Sequence, residues 1–285
     1  MGVVTQPDRP AGRGRKLTPS PVKELALEEG HPVLTPERPE GDEFETAVEE
    51  LRPDLSVVVA YGHILRPRVL ELPPRGSVNV HASLLPELRG AAPVHWAILR
   101  GHETTGVTVM RMVEAMDAGP ILLQTPEKIG PDETATALGT RLSEVGAEAL
   151  IEALALMEAG ALEEKEQDHE GATYAPKVDR EMARVDWTRP AEELARHLRG
   201  LDRIPGAWSL LDGKAVKLFT PTAEPREAHG EEPGSVLSDE AGRELRVVCG
   251  EGVLRVGEIQ PPGKRRMPAR AWLQGRPLGE DARFE

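Results

Sequence analysis

SVNVHASLLPELRG, residues 77–90, decides the fold. Residues 77–81 read as a buried strand that ends on Asn79-Val80-His81, and Leu-Leu-Pro follows at once. Side chains at i and i+2 of a strand share a face. Asn79 and His81 are therefore expected to point the same way at a strand's carboxyl end. Asn79 is also the sole asparagine of the 285 residues, so the chain keeps that amide where it otherwise does without one.

The neighbouring segments alternate between strand and helix. Upstream, VVT (3–5) reads as a strand, VKELALEEG (22–30) as a helix stopped by glycine, PVLTP (32–36) as a short strand and EFETAVEELR (43–52) as an amphipathic helix. LSVVVAYG (55–62) is an apolar, valine-rich run ending at glycine, as expected of a fully buried parallel strand. RPRVLEL (66–72) is a short helix. Downstream, APVHWAILRG (92–101) reads as a helix, GVTVMRM (106–112) and PILLQTPEKI (120–129) as strands, and 132–160 as helical. This order implies an α/β domain built on an open, mostly parallel sheet. Such sheets bind ligands beyond the carboxyl ends of their strands, which is where Asn79 and His81 fall.

The texture changes after residue 160. Residues 161–178 are charged and lack apolar periodicity, which reads as a linker. A helix follows Thr188-Arg189-Pro190, and then come short alternating segments (AWSLL, KAVKLFT, GSVLS, ELRVVCG, GVLRVGEI) separated by glycine-containing turns. Five short strands within about eighty residues predict a small OB-type β-barrel. The predicted organisation is a domain over 1–160, a linker over 161–178 and a barrel domain over 179–285.

Composition bounds the function. With 39% hydrophobic and 29% charged residues the chain reads as an ordinary globular protein, and no apolar run approaches the ~20 residues of a membrane helix. MGVVTQPDRP lacks a basic region followed by an apolar stretch, so no secretory signal is read, and the cytoplasm is the expected compartment. Cys249 is the only cysteine, which excludes an intrachain disulfide and a cysteine-rich zinc site. The eight histidines have no metal-ligand spacing, and no metal is expected. The net charge of −13 argues against a nucleic-acid partner, but cations cluster locally. PDRPAGRGRKLTPSPVK carries Arg9, Arg13, Arg15, Lys16 and Lys23, and PPGKRRMPAR carries Lys264, Arg265, Arg266 and Arg270. Pro and Gly are expected to limit regular structure in the first of these, leaving an exposed loop of the kind that contacts phosphates.

These motifs carry a family resemblance. SVNVHASLLPELRGAAP, followed by TGVTVMRMVEAMDAGPIL, resembles the formyltransferases that use 10-formyltetrahydrofolate. Their pattern is Asn-x-His at a strand end, then Ser-Leu-Leu-Pro, then a loop Asp, here Asn79, His81, Ser83 to Pro86 and Asp117. TQPDRPAGRGRKLTPSPVK, VVVAYGHIL and GVLRVGEIQPPGKRRM are similar to the branch that formylates methionyl initiator tRNA, over nearly the whole chain and in the same order. Family members begin with a further strand, a Gly-Thr-Pro loop and a helix before the segment matching GVVTQPDRP. The reading frame is therefore expected to continue upstream and to encode that unit.

The resemblance implies a Rossmann-like formyltransferase domain, 10-formyltetrahydrofolate as the formyl donor and methionyl initiator tRNA as the acceptor, with the chain acting as a monomer. It implies a catalytic group of Asn79, His81 and Asp117, with Asn79 and His81 polarising the formyl oxygen. It implies a folate contact at Ser83, Leu84, Leu85 and Pro86. It places the acceptor stem on Arg13, Arg15 and Lys16, and the RNA backbone on Lys264, Arg265 and Arg266. The chemistry suits these residue types. An amine attacking a formyl carbon needs donors aimed at the developing oxyanion and a route for the amine proton, and no side-chain nucleophile. Two alternatives stay open: a sibling enzyme formylating a small amine, and an RNA-binding protein without catalysis.

Overall fold

The structure, a computed structural model, describes residues 1–11, 14–225, 230–237, 244–275, 278–279 and 281–285. The chain divides into two compact units, one of residues 1–89, 107–125 and 145–172, the other of residues 90–106, 126–144 and 173–285. Among the described residues no helix is long and apolar enough to cross a membrane.

The first unit opens with β1 (Val3–Val4), β2 (Arg9–Ala11), β3 (Lys16–Thr18), α1 (Pro21–Glu28), β4 (Val33–Leu34), α2 (Asp42–Glu50), β5 (Ser56–Val58), α3 (Pro67–Glu71) and β6 (Ser77–His81). The chain continues with α4 (Pro93–Leu99), β7 (Thr104–Arg111), β8 (Ile121–Lys128) and α5 (Ala135–Glu158). Local chemistry sets the helix starts. The Ser20 hydroxyl accepts the Lys23 amide at 3.1 Å and Pro21 opens the first turn of α1. Acidic Asp42, Glu43 and Glu45 crowd the first turn of α2, where the helix dipole favours them.

β5, β6, β7 and β8 form one four-stranded sheet in that order, and β1 pairs with β4 in a separate two-stranded sheet. β1–β4 and β5–β6 are parallel, whereas β6–β7 is antiparallel. Two expectations need correcting. The LSVVVAYG run is not fully buried: Val57 is 42% and Val59 57% exposed. Among the described residues β5 pairs with β6 alone, which puts it at the edge of its sheet rather than inside it. The basic segment is also not irregular. β2 and β3 form an antiparallel ladder in which Arg9 faces Thr18, Pro10 faces Leu17 and Ala11 faces Lys16. Gly14 (φ 96°) and Arg15 (φ 50°) adopt the left-handed backbone that lets the chain reverse.

α5 seals one face of the sheet. Val78, Val109, Leu122, Ala149 and Ala153 form its buried core. A Cβ at Gly146 of α5 would lie 3.1 Å from Val80 Cγ1, so the missing side chain sets how closely the helix approaches β6.

The second unit contains α6 (Ala191–Gly200), β9 (Trp208–Leu211), β10 (Lys214–Glu224), β11 (Val236–Leu237), β12 (Leu245–Val248), β13 (Val253–Gln260), β14 (Met267–Pro268) and α7 (Ala269–Gly275). The strands pair antiparallel in the order β11-β12-β13-β10-β9, with β14 added to β13. Bridges from Leu211 to Phe284 and from Ser235 to Arg283 draw the chain's last residues onto both ends of this order, as in a small barrel. Its core holds Leu198, Leu218, Leu245, Leu254, Ile259 and Phe284. α6 starts behind Pro190, as its sequence predicts, and turns Ala191, Leu194, Ala195 and Leu198 into that core.

His197 of α6 is 7% exposed, and its Nε2 has no hydrogen-bond partner among the described residues. Burial, reinforced by nearby Arg189, pushes its pKa down to about 4 against an opposing backbone bond to Ala183. The sign follows from proton binding. Below its ordinary pKa of about 6.5 the unfolded chain takes up a proton that the folded chain refuses, so stability falls with pH from about 6.5 to about 4 and then levels off. Urea unfolding of the wild type and of His197→Gln across this window is expected to show a shallower slope in the variant. Equal slopes would remove His197 as the cause.

Candidate active site

The committed faces of β6 orient the candidate residues. Val78 and Val80 lie toward α5, so Asn79 and His81 project from the opposite face. Register places Asn79 opposite Met110 and His81 opposite Thr108 on β7. Asn79 is half-buried, and among the described residues no hydrogen bond ties its carboxamide. His81 is 6% exposed. Its Nε2 lies 2.9 Å from the Leu88 carbonyl oxygen. A carbonyl only accepts, so Nε2 carries the proton and donates it. Nδ1 then lies 3.8 Å from Asp117 Oδ2, farther than a hydrogen bond. Asp117 sits at φ 52° in the loop between β7 and β8. Asp117, distant in sequence from β6, thus approaches His81 in the first unit, and Asn79 shares that face of the strand.

The Ser83–Pro86 turn is strapped down by its neighbours. Thr108 Oγ1 donates to the Ser83 carbonyl at 2.7 Å and accepts the Leu85 amide at 3.1 Å. Gln124 Nε2 donates to the Leu85 carbonyl at 2.9 Å and to Thr108 Oγ1 at 3.0 Å. Ser83 is 1% exposed and its hydroxyl donates to the Glu87 carbonyl. Leu85 packs with Met110 and Ile121. Ser83 and Leu85 therefore build the turn, and Leu84 and Pro86 are the half-buried members that keep surface for a ligand. Neighbouring loops line a cleft of about 490 Å³ with Gln6, Arg9, Thr18, Ser20, Tyr61 and Gly62. This cleft contains none of the three grouped residues. It lies beyond the carboxyl ends of β1 and β5, and the hydroxyl of its lining residue Tyr61 is buried without a hydrogen-bond partner among the described residues.

The candidate cations differ in their surroundings. Arg13 lies outside the described residues. Arg15 and Lys16 are exposed on the β2–β3 hairpin, and Lys264 and Arg265 on the turn between β13 and β14. Arg266 is engaged within its own unit. Its guanidinium pairs with Asp202 at 2.9 Å and Glu258 at 2.7 Å and stacks 4.1 Å from the Phe219 ring centroid. An Arg tied in this way braces the barrel. Among the described residues no group of three or more His, Cys, Asp or Glu side chains could hold a metal ion.

Several residues that shape the site escaped the sequence reading: Thr108, Gln124, Arg89 and Gln167. Thr108 and Gln124 lie in strands read by their apolar pattern, Arg89 at the end of the 77–90 motif and Gln167 in the stretch read as a linker, and a buried hydrogen bond leaves no periodic trace in a sequence. Thr108 illustrates the energetic stake, because removing its hydroxyl strands a buried amide. Thr108→Val, nearly isosteric, is expected to lower stability by about 1–3 kcal/mol, read by urea unfolding. Unchanged stability would show that the turn does not depend on this hydroxyl.

Comparison with known proteins follows the same lines. Residues 1–154 match the family model described as "Formyl transferase", and residues 177–277 match "Formyl transferase, C-terminal domain". The methionyl-tRNA formyltransferase of Desulfotalea psychrophila is 46% identical over 282 residues, covering 99% of this chain and 86% of the relative. That of Symbiobacterium thermophilum is 46% identical over 284 residues, covering 100% and 87%. Among solved structures, HypX from Aquifex aeolicus in complex with tetrahydrofolic acid superposes with a TM-score of 0.67 at 23% identity. That match covers 99% of this chain, which spans about half of HypX (48%). The N-formyltransferase from Helicobacter canadensis, in complex with folinic acid and dTDP-3-aminofucose, superposes with a TM-score of 0.63 at 16% identity, covering 92% of this chain and 87% of that one. These two likenesses show the fold. The matches to both domain models and the similarity to methionyl-tRNA formyltransferases along nearly the whole of this chain settle the family, and the chain belongs to the formyl transferases.

Proposed function

We propose that this chain transfers the formyl group of 10-formyltetrahydrofolate to the α-amino group of methionyl initiator tRNA, and that Asn79, His81 and Asp117 carry the chemistry. The substrate reading rests on similarity at about 46% identity that runs the length of the chain. The catalytic reading rests on the Asn79 carboxamide at the same strand end as a histidine held between the Leu88 carbonyl and the Asp117 carboxylate.

The amine nitrogen attacks the formyl carbon, the carbonyl π pair moves onto oxygen, and the tetrahedral centre collapses as the carbon–nitrogen bond to the folate breaks. The amine proton leaves and the folate nitrogen gains one, so the reaction is proton-neutral overall. Asn79 suits the oxyanion because its amide is a fixed neutral donor. His81 suits the proton relay. Once protonated at Nδ1 it gains a hydrogen facing Asp117, and the carboxylate stabilises the imidazolium. For His81 to donate to the formyl oxygen directly, its Nε2–H would exchange the Leu88 carbonyl for the substrate. Leu84 and Pro86 offer the apolar surface for the flat folate ring. The acceptor stem falls to Arg13, Arg15 and Lys16, and the RNA backbone to Lys264 and Arg265, whose heads are exposed. The domain boundaries we propose, near 160 and 179, fall within a few residues of where the first family match ends, at 154, and the second begins, at 177. A sibling enzyme for a small amine has less support, because residues 177–277 match the C-terminal domain model.

Formyl transfer to methionyl initiator tRNA is expected to fall by ~10²-fold or more in Asn79→Ala and in Asp117→Ala, and near-normal rates in a folded Asp117→Ala variant would overturn the catalytic assignment. Arg13→Ala combined with Lys16→Ala is expected to weaken tRNA binding and flatten its dependence on salt concentration by about two counterion units. An unchanged slope would remove the hairpin from the RNA interface.

A further inference from the structure

The Asp117 loop is held by a side chain that belongs to neither strand it joins. Gln167 is 5% exposed and lies in the charged stretch after α5. An antiparallel bridge between Ile121 and Lys165, with amide–carbonyl bonds of 2.7 and 2.9 Å, runs this stretch alongside the start of β8 and brings residue 167 opposite residue 119. Gln167 Nε2 donates to the Asp117 carbonyl at 2.9 Å and to the Gly119 carbonyl at 2.7 Å. Its Oε1 accepts from Arg89 Nε at 3.1 Å and Arg89 Nη2 at 2.6 Å. The amide orientation is forced, because carbonyls only accept and a guanidinium only donates. Both donors and both acceptor positions of the amide are occupied.

The loop needs such a clamp. Asp117 holds a left-handed backbone that a non-glycine residue adopts at a cost. A Cβ at Gly119 would lie 2.1 Å from the Arg111 carbonyl oxygen, so the loop lies hard against the end of β7. Arg89 reaches the other side of His81. It directly follows Leu88, whose carbonyl takes the His81 Nε2 proton, and its Nη2 also donates to His169 Nδ1 at 3.0 Å. One buried Arg–Gln pair thus joins the segment that sets His81 Nε2 to the loop that brings Asp117 to His81 Nδ1.

We infer that Gln167 is a positioning residue for formyl transfer, acting through Asp117 by clamping the carbonyls of residues 117 and 119. The inference rests on the reading of Asp117 as a catalytic group. Gln167→Glu preserves volume and leaves Arg89 a partner, but replaces the clamping donors with a carboxylate oxygen that repels both carbonyls. Gln167→Asn keeps an amide and withdraws it by one methylene. Misplacement of a reacting group costs up to ~10²-fold, so both variants are expected to lower kcat by about 10- to 100-fold, with the KM for 10-formyltetrahydrofolate changed by no more than about twofold.

The test is a double-mutant cycle with Asp117→Ala in the steady-state formyl-transfer assay on the full chain, each variant first shown to melt cooperatively. If Gln167 acts through Asp117, Asp117→Ala/Gln167→Glu will be no slower than Asp117→Ala alone. Multiplicative losses, or a normal kcat in both Gln167 variants, would overturn the inference and leave Asp117 standing. A normal rate in Asp117→Ala would remove the reading of Asp117, and the inference with it.

Discussion

The strand β6 has no spare face, and the rest of the site depends on that constraint. α5 approaches its Val78–Val80 side so closely that a Cβ at residue 146 would lie 3.1 Å from Val80 Cγ1, tighter than ordinary contact. The alternation of a strand then leaves Asn79 and His81 one direction to point. A strand slipped by one residue would bury the carboxamide and imidazole under α5 and expose the valines, losing both the core and the chemistry. The sheet's hydrophobic packing and the aim of the candidate catalytic side chains are the same structural fact.

What β6 does not supply comes from buried polar contacts. Polar groups removed from water destabilise a fold unless they find partners. Here they find partners on turns that hydrophobic packing alone would leave loose. Thr108 and Gln124 hold the Ser83–Leu85 turn, and Arg89 with Gln167 holds the loop of Asp117. His81 itself lies between the Leu88 carbonyl at 2.9 Å and the Asp117 carboxylate at 3.8 Å. Each of these side chains comes from a segment distant in sequence from the turn it holds, which makes the arrangement a property of the assembled unit.

The barrel unit shows how differently neighbouring cations can be engaged. Lys264, Arg265 and Arg266 are adjacent in sequence and alike in charge. All three are exposed, and Arg266 also pairs with Asp202 and Glu258 and stacks on Phe219. Bonds from Arg266 and Thr220 outweigh the effect of burial on Glu258 and hold its carboxyl below the usual range. The pairing is thus kept charged at neutral pH.

Much of this was legible in the residues alone. Valine-rich runs, helix periodicity and turn glycines were enough for the α/β domain and the barrel, because apolar burial repeats with the period of the element that buries it. Asn79-x-His81 could be placed at a strand end because a period of two puts both side chains on one face. The meeting of Asp117 with His81 came from resemblance, since no local rule brings a loop residue to a strand many positions away. Three features waited for the tertiary structure: the edge exposure of Val57 and Val59, the ion pairs of Arg266, and the clamp of Gln167. Strand neighbours, ion-pair partners and buried hydrogen bonds join residues remote in sequence, and none of them leaves a periodic mark. The charged run around Gln167 reads as a linker for that reason, although its amide holds the loop that carries the candidate acid.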